Sequence, residues 1–264
     1  DYTKFNAEYF RRLENRISEL LALRIEADLI LFHPYDKWGF SKMSAEDDDR
    51  YLRYIVARLA AYRNIWWSFA NEFDLMAEKT ESDWDRYFRI VQKHDPYQRL
   101  RSVHNCRGFY DHGKPWVTHC SIQHHELDKT AEWISTYKKP VVVDECGYEG
   151  NIPHDWGNLS AWELVLRFWT GFSMGGYVGH GETYVHPDDQ LWWAKGGELF
   201  GESPKRISFL RKIMDESPDG YTWLEPRKTP SEDATSLICY HGVRQQSYKT
   251  YRLPESREYR AEII

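Results

Sequence analysis

Residues 47–74, DDDRYLRYIVARLAAYRNIWWSFANEFD, decide the fold. Their first part spaces apolar side chains three and four residues apart behind three aspartates, whose charge suits the positive N-terminal end of a helix. The chain then changes to an unbroken apolar run, IWWSFA, and closes on polar NEFD, as a strand covered on both faces does. A helix feeding a doubly covered strand is the unit of a parallel sheet, because parallel neighbours need a crossover.

The unit recurs on both sides. Upstream, an amphipathic helix over residues 5–24 leads into ADLILFHPYD (27–36). Downstream, helix SDWDRYFRIVQKHD (82–95) precedes LRSVHNC (100–106), and a glycine-containing turn leads to WVTHCSIQHH (116–125). TAEWISTYKK (130–139) precedes PVVVDECGY (140–148), LSAWELVLRFWTGFSMGG (159–176) precedes YVGHGETY (177–184), and SPKRISFLRKIMDES (203–217) closes the series. Strands beginning near Ala27, Ile65, Leu100, Trp116, Pro140 and Tyr177, each ending in polar residues, predict an α/β fold of the (β/α)8 TIM-barrel type. A closed barrel has eight strands and only six are legible, so residues 1–218 are expected to be strands three to eight, with two strands lying upstream of Asp1. Within 219–264, SLICYHGV and YKTYRL predict part of a C-terminal β-rich module that stops inside a strand.

Composition narrows the function classes. A chain of 264 residues with 41% hydrophobic content can bury a barrel-sized core. A net charge of −6 without a basic run argues against a nucleic-acid partner, which would need clustered Lys and Arg to neutralise phosphates. No apolar run approaches the roughly 18 residues of a membrane span and no leader is visible, so no membrane partner is expected. Four unevenly spaced cysteines read as free thiols, which favours the cytoplasm. Aromatic content of 16%, with 12 Trp and 18 Tyr, fits a cleft that stacks on sugar rings, although core packing uses the same residues.

Barrel chemistry gathers at the C-terminal ends of strands, and those ends hold His33, Glu72, His104, His124, His125, Glu145, His180 and Glu182. Glycoside hydrolysis needs two carboxyl groups, one to protonate the leaving oxygen and one to attack the anomeric carbon or activate water. Glu72 and Glu145 directly follow apolar strands and are three strands apart in the count, which puts them on facing sides of a closed barrel. Asp144 should point to the other side of its strand, and Glu149, in a loop with two glycines, is the competing nucleophile. The histidines read as neutral donors to sugar hydroxyls or as satisfied rim and core residues. Glu182 reads as a hydroxyl ligand or as the partner of a histidine. Trp38, Tyr148, Trp192 and Trp193 are candidate sugar platforms, with core packing as the alternative. No H-E-x-x-H occurs, and neither a metal nor another cofactor is expected.

WWSFANEFD resembles the Asn-Glu acid/base motif that ends the fourth strand in glycoside hydrolase clan A, and VVVDECGYEG resembles the nucleophile motif ending its seventh. Residues 33–64, 141–163 and 175–189 are similar to a bacterial group of glycosidases with a cellulase- or apiosidase-like barrel between β-domains. The resemblance implies a retaining glycosidase with Glu72 as acid/base, Glu145 as nucleophile and Asn71 as donor to the sugar 2-hydroxyl. It implies an oligosaccharide, polysaccharide or aryl glycoside substrate. Cys146 stands where many clan members carry Phe or Tyr, and the two strands upstream are where relatives often carry a substrate-binding Arg or Asp. Retention would set the two carboxyl groups about 5 to 5.5 Å apart. Glu72 should be kept protonated by burial near Trp66 or Trp67, and Glu145 ionised by nearby donors. A non-catalytic carbohydrate-binding protein and a metal-dependent barrel hydrolase are the alternatives.

Overall fold

The computed structural model describes residues 2–185, 187, 198–217, 220–224, 227–242 and 247–263. The chain forms two compact units, one of Asp1–Gln123 with Glu132–Asp144 and the other of His124–Ala131 with Glu145–Ile264.

The first unit begins with helix α1 (Ala7–Ala22), whose N-terminus is capped by the Asn6 side chain accepting from the backbone of Glu8 and Tyr9. Strand β1 (Ala27–Phe32), helix α2 (Ala45–Leu59), strand β2 (Ile65–Ala70), helix α3 (Glu81–His94) and strand β3 (Arg101–Ser102) follow. β1, β2 and β3 are neighbours in that order and run parallel, with Ala27 opposite Ile65 and Trp67 opposite Arg101. The aspartates read as a helix start lie in the first turn of α2, behind the Ser44 cap. Strand β4 (Cys120–Gln123) continues beyond β3, since Thr118 donates its backbone N–H to Arg101 and the Ser102 hydroxyl donates to the His119 carbonyl. Strand β5 (Val141–Glu145), reached through helix α4 (Thr130–Tyr137), lies next to β4.

Trp67, Phe69, Trp84, Tyr87 and Phe88 are the largest side chains of this unit's core. Alternation along β2 sends Trp67 and Phe69 to one face. Trp67 keeps its indole N–H satisfied by donating to Asp95 at 2.9 Å, at the C-terminal end of α3.

In the second unit, short strand β6 (Glu149–Gly150) pairs in parallel with β8 (Glu182–Thr183), placing Glu149 opposite Glu182. Helix α5 (Ala161–Ser173) opens with a Ser160/Glu163 capping box, and β7 (Tyr177–Val178) and helix α6 (Ser203–Asp215) follow. The C-terminal stretch forms strands β9 (Thr222–Trp223) and β10 (Leu237–Ile238), paired in parallel, and Tyr240 stacks on Trp169 of α5 at 5.0 Å. YKTYRL and the described part of 257–264 form no strand. Strand-type composition there is not matched by a paired neighbour among the described residues, and an isolated strand has nothing to hydrogen-bond.

Candidate active site

Glu72 follows β2 directly and is 8% exposed. Its backbone lies in the left-handed region, φ 49° and ψ 55°, which costs a side chain with a Cβ energy and needs surrounding contacts to hold it. Those contacts are present. Asn71 donates its N–H to the Phe32 carbonyl at 3.1 Å, and Phe73 donates to the His104 carbonyl at 2.9 Å, so both flanks of Glu72 are tied to neighbouring strand ends. Asp74 accepts from the backbone N–H groups of Cys106, Arg107 and Gly108 at 2.6, 2.8 and 2.9 Å. Burial raises the Asp74 carboxyl, and these three donors outweigh it to leave it lowered.

The Glu72 carboxyl meets four polar side chains. Tyr35 donates its hydroxyl to Oε2, and Asn71 Nδ2 lies 3.4 Å from the same oxygen. Gln123, with its amide assigned so that the nitrogen faces these acceptors, brings that nitrogen within 3.2 Å of Oε1, and the Cys106 thiol neighbours the carboxyl. Burial, followed by the nearby Glu72 and Asp74 carboxylates, pushes the Cys106 thiol up to about 11. Trp66 and Trp67 are not among these neighbours: they lie at the start of β2, and a rise of about 3.3 Å per residue carries Glu72 to the strand's other end. Trp66 packs edge-on to His119 instead.

The strand ends treat the other candidates of this unit differently. His33 is exposed, and its Nδ1 accepts from the Tyr35 backbone at 3.2 Å. Trp38 is 74% exposed on a loop fastened by Asp36, which accepts from the N–H groups of Trp38, Phe40 and Ser41. His104 is buried, with Nδ1 3.3 Å from both Ser121 Oγ and Asp144 Oδ2, so its ring faces protein partners rather than solvent. Asp144 thus points into this polar interior. Tyr35, Cys106 and Gln123 escaped the sequence reading. Each lies within four residues of a strand end, but none belongs to a catalytic motif.

In the second unit Glu145 is half-buried, and its carbonyl accepts from the His124 backbone N–H at 3.0 Å. The Cys146 carbonyl accepts from Arg167. His124 stacks on His125 with centroids 5.0 Å apart, and burial, then the positive fields of His125 and Lys129, lowers its titration. Tyr148 packs edge-on to Trp156. Glu149 and Glu182 are buried and occupied. Glu149 accepts from the N–H groups of Glu202 and Ser203 at 2.9 and 3.0 Å and from the Tyr184 hydroxyl at 2.9 Å. Glu182 accepts from Phe200 and Gly201 at 2.8 and 3.1 Å. A Cβ on Gly201 would come within 2.3 Å of Glu149 Oε2 and 2.7 Å of Glu182 Oε1, so only glycine lets the backbone pass between the two carboxylates. These carboxylates therefore fasten the start of α6. His180 shares that region, 3.2 Å from Ser203 Oγ and 3.9 Å from Glu182, and burial lowers its titration. Trp192 and Trp193 lie outside the described residues.

Among the described residues no group of three or more His, Cys, Asp or Glu side chains is placed to hold a metal ion, and no helix is long and apolar enough to cross a membrane.

Comparison with known proteins gives this geometry a context. The family model described as "Apiosidase-like, catalytic domain" matches residues 1–241. A Bacteroides vulgatus protein assigned to the glycoside hydrolases is 46% identical with a TM-score of 0.80, over 83% of this chain and 44% of its own. The chain thus spans less than half the length of that relative. A family 5 glycoside hydrolase of Bacteroides vulgatus, 13% identical over 83% of this chain and 56% of its own, superposes with a TM-score of 0.62. An endo-1,4-beta-D-mannanase of Thermotoga petrophila, 15% identical over 77% of this chain and 80% of its own, gives 0.54. The last two likenesses concern the fold alone. No curated protein matches the sequence. With a family model matching more than nine-tenths of its length, the chain belongs to the apiosidase-like catalytic-domain family of glycoside hydrolases.

Proposed function

We propose that the chain is the catalytic part of a retaining glycoside hydrolase, with Glu72 as acid/base and Glu145 as nucleophile. The observation that carries the reading is the setting of Glu72: a buried carboxyl on a strained turn after a parallel strand, gripped by Tyr35, Asn71, Cys106 and Gln123. In the first step such a carboxyl hands its proton to the departing oxygen as Glu145 forms a bond to the anomeric carbon. In the second it takes a proton from the water that releases the sugar. Asn71, next to Glu72, is the proposed donor to the sugar 2-hydroxyl, and Trp38, on its Asp36-fastened loop, a stacking platform.

The same proposal reads residues 1–218 as strands three to eight of a (β/α)8 barrel and 219–264 as part of a β-rich module. Support comes from β1, which has a strand partner on one edge only among the described residues and carries Ile30 at 56% exposure. Two further parallel strands beside β1 would cover that edge.

The test is azide rescue on aryl glycosides of several sugars. Glu72→Ala should spare substrates with activated leaving groups in the first step, stall at the glycosyl-enzyme and be rescued by azide with retained configuration. Glu145→Ala should lose turnover of every glycoside. Wild-type-like activity in both variants would refute the assignment, and tight sugar binding without turnover in the wild type would favour the carbohydrate-binding reading.

A further inference from the structure

Behind Glu72 runs a chain of hydrogen-bonded polar groups that is buried at His104, Asn105 and Ser121 and half-buried at its two ends, Gln123 and Asp144. It starts at Gln123, the last residue of β4. The Gln123 amide nitrogen lies 3.2 Å from Glu72 Oε1, 3.2 Å from the Asn105 carbonyl and 3.0 Å from His104 Nε2. Two of these atoms are oxygens that only accept while Glu72 is ionised, so the amide must present its N–H bonds to them and not its carbonyl. The amide's two N–H bonds serve three atoms, so one of them is shared between the Asn105 carbonyl and His104 Nε2; a proton on Nε2 would oppose it, and the ring proton therefore sits on Nδ1. That proton has its acceptor ready, because Nδ1 lies 3.3 Å from Asp144 Oδ2, and Ser121 donates its hydroxyl to the same carboxylate oxygen. His104, Asn105 and Ser121 are all buried. Asn105 also clamps the Gln123 backbone from both sides, donating to its carbonyl at 3.2 Å and accepting from its N–H at 3.1 Å.

We propose that Gln123, His104 and Asp144 form a positioning relay for the acid/base. Asp144 fixes the imidazole tautomer, the imidazole fixes the amide orientation, and the amide holds Glu72 Oε1 by a donated hydrogen bond. The proposal deepens the functional reading above and rests on it for its meaning in catalysis, although the relay itself is a property of the folded chain. Its consequence is directional. Every link in the sequence carboxylate, Nδ1–H, Nε2 lone pair, amide N–H, Glu72 is polarised the same way, so a change at Asp144 should be felt at Glu72 without contact between them.

Two variants of nearly unchanged volume test this in the full chain. Gln123→Met removes the last donor. Asp144→Asn puts an amide N–H against His104 Nδ1 and so favours the opposite tautomer, which turns the amide of Gln123 away from Glu72. Carbon-13 carboxyl NMR, with Glu72→Gln to assign the resonance, reads the titration of Glu72. Nitrogen-15 imidazole NMR reads the tautomer of His104. Both variants should raise the Glu72 midpoint by about one pH unit, because a donor to the ionised form has been lost. Asp144→Asn alone should move His104 from the Nδ1–H to the Nε2–H form. On glycosides, both should slow poor leaving groups roughly 10- to 100-fold, because Glu72 stays protonated but is no longer held against the leaving oxygen, and leave 2,4-dinitrophenyl substrates, which depart without a proton, within about threefold. An Nε2–H His104 in the wild type, or a Glu72 midpoint unmoved in both variants, overturns the relay. If the wild type cleaves no glycoside, the functional reading fails, and the two NMR measurements still decide the relay. Should Gln123→Met fail to fold, Asp144→Asn carries the test. Burial, and then the negative charge of Asp144, pushes the neighbouring Asp28 carboxyl up to about 7; loss of that charge would through space alone lower the Glu72 midpoint, so a rise reads the chain of bonds.

Discussion

Glu149 lies four residues beyond Glu145 and was its competitor for the nucleophile's role, and a single substitution separates the two. In the structure Glu149 Oε1 accepts from Tyr184 and from the Glu202 N–H, and Oε2 accepts from the Ser203 N–H. Glu149→Gln keeps the shape and removes the charge. The glutamine can leave its one oxygen facing Tyr184 and Glu202, and its NH2 then meets the Ser203 N–H donor to donor. Leaving one buried donor unsatisfied costs about 1–3 kcal/mol, and the two surviving bonds lose their charge assistance, so the total is about 2–4 kcal/mol. At roughly 2–4 °C per kcal/mol for a domain of this size, Tm should fall by about 5–15 °C. The acid dependence has a definite sign. Burial raises the Glu149 carboxyl, but the donors from Ser203, Glu202 and Tyr184 outweigh it, so the folded-state value is lowered. A lowered carboxyl contributes stability above its unfolded value and loses it as pH falls through the folded value. Urea titrations should therefore show wild type and Glu149→Gln differing at pH 7 and converging below about pH 4. Turnover per folded molecule at 20 °C should stay within a few-fold of wild type. An unchanged Tm would refute the structural role, and a variant that is folded yet has lost activity more than 100-fold would place Glu149 in the chemistry.

His112 is completely buried, neither of its ring nitrogens has a hydrogen-bond partner among the described residues, and burial, followed by the fields of His119 and Lys139, lowers it to about 4. A histidine lowered in the folded state protonates first in the unfolded chain, so it costs stability as pH falls from about 6.5 towards 4. The loss amounts to about 3 kcal/mol. His112→Phe should remove that acid-sensitive component from urea titrations taken between pH 7 and 4, and an unchanged pH slope would contradict the assignment. Cys106, raised to about 11, should react with iodoacetamide at pH 8 roughly 100-fold more slowly than an ordinary thiol, because only its thiolate attacks. Peptide mass spectrometry would follow this, and labelling at the rate of an unperturbed cysteine would show that the thiol does not face Glu72.

The order of helices and strands in the first unit was legible because it is written in periodicity, which is local: all five strands expected there form within four residues of their expected starts. Glu72 was legible for a related reason, since a polar residue directly after a doubly covered strand has few places to go. Residues 248–253 have strand-type composition but form no strand among the described residues, because strand propensity counts only where a neighbour completes the hydrogen bonds. The sequence alone could not distinguish Glu149 and Glu182 from substrate ligands, nor His104 from a rim donor. Their roles depend on backbone N–H groups of Phe200 to Ser203 and on an amide at Gln123, each 18 to 54 residues away along the chain. The same blindness hid Tyr35, Cys106 and Gln123. A hydrogen bond is satisfied in space between atoms the chain has folded together. Composition and spacing show which side chains can donate or accept, and only the tertiary structure decides which of them are already engaged.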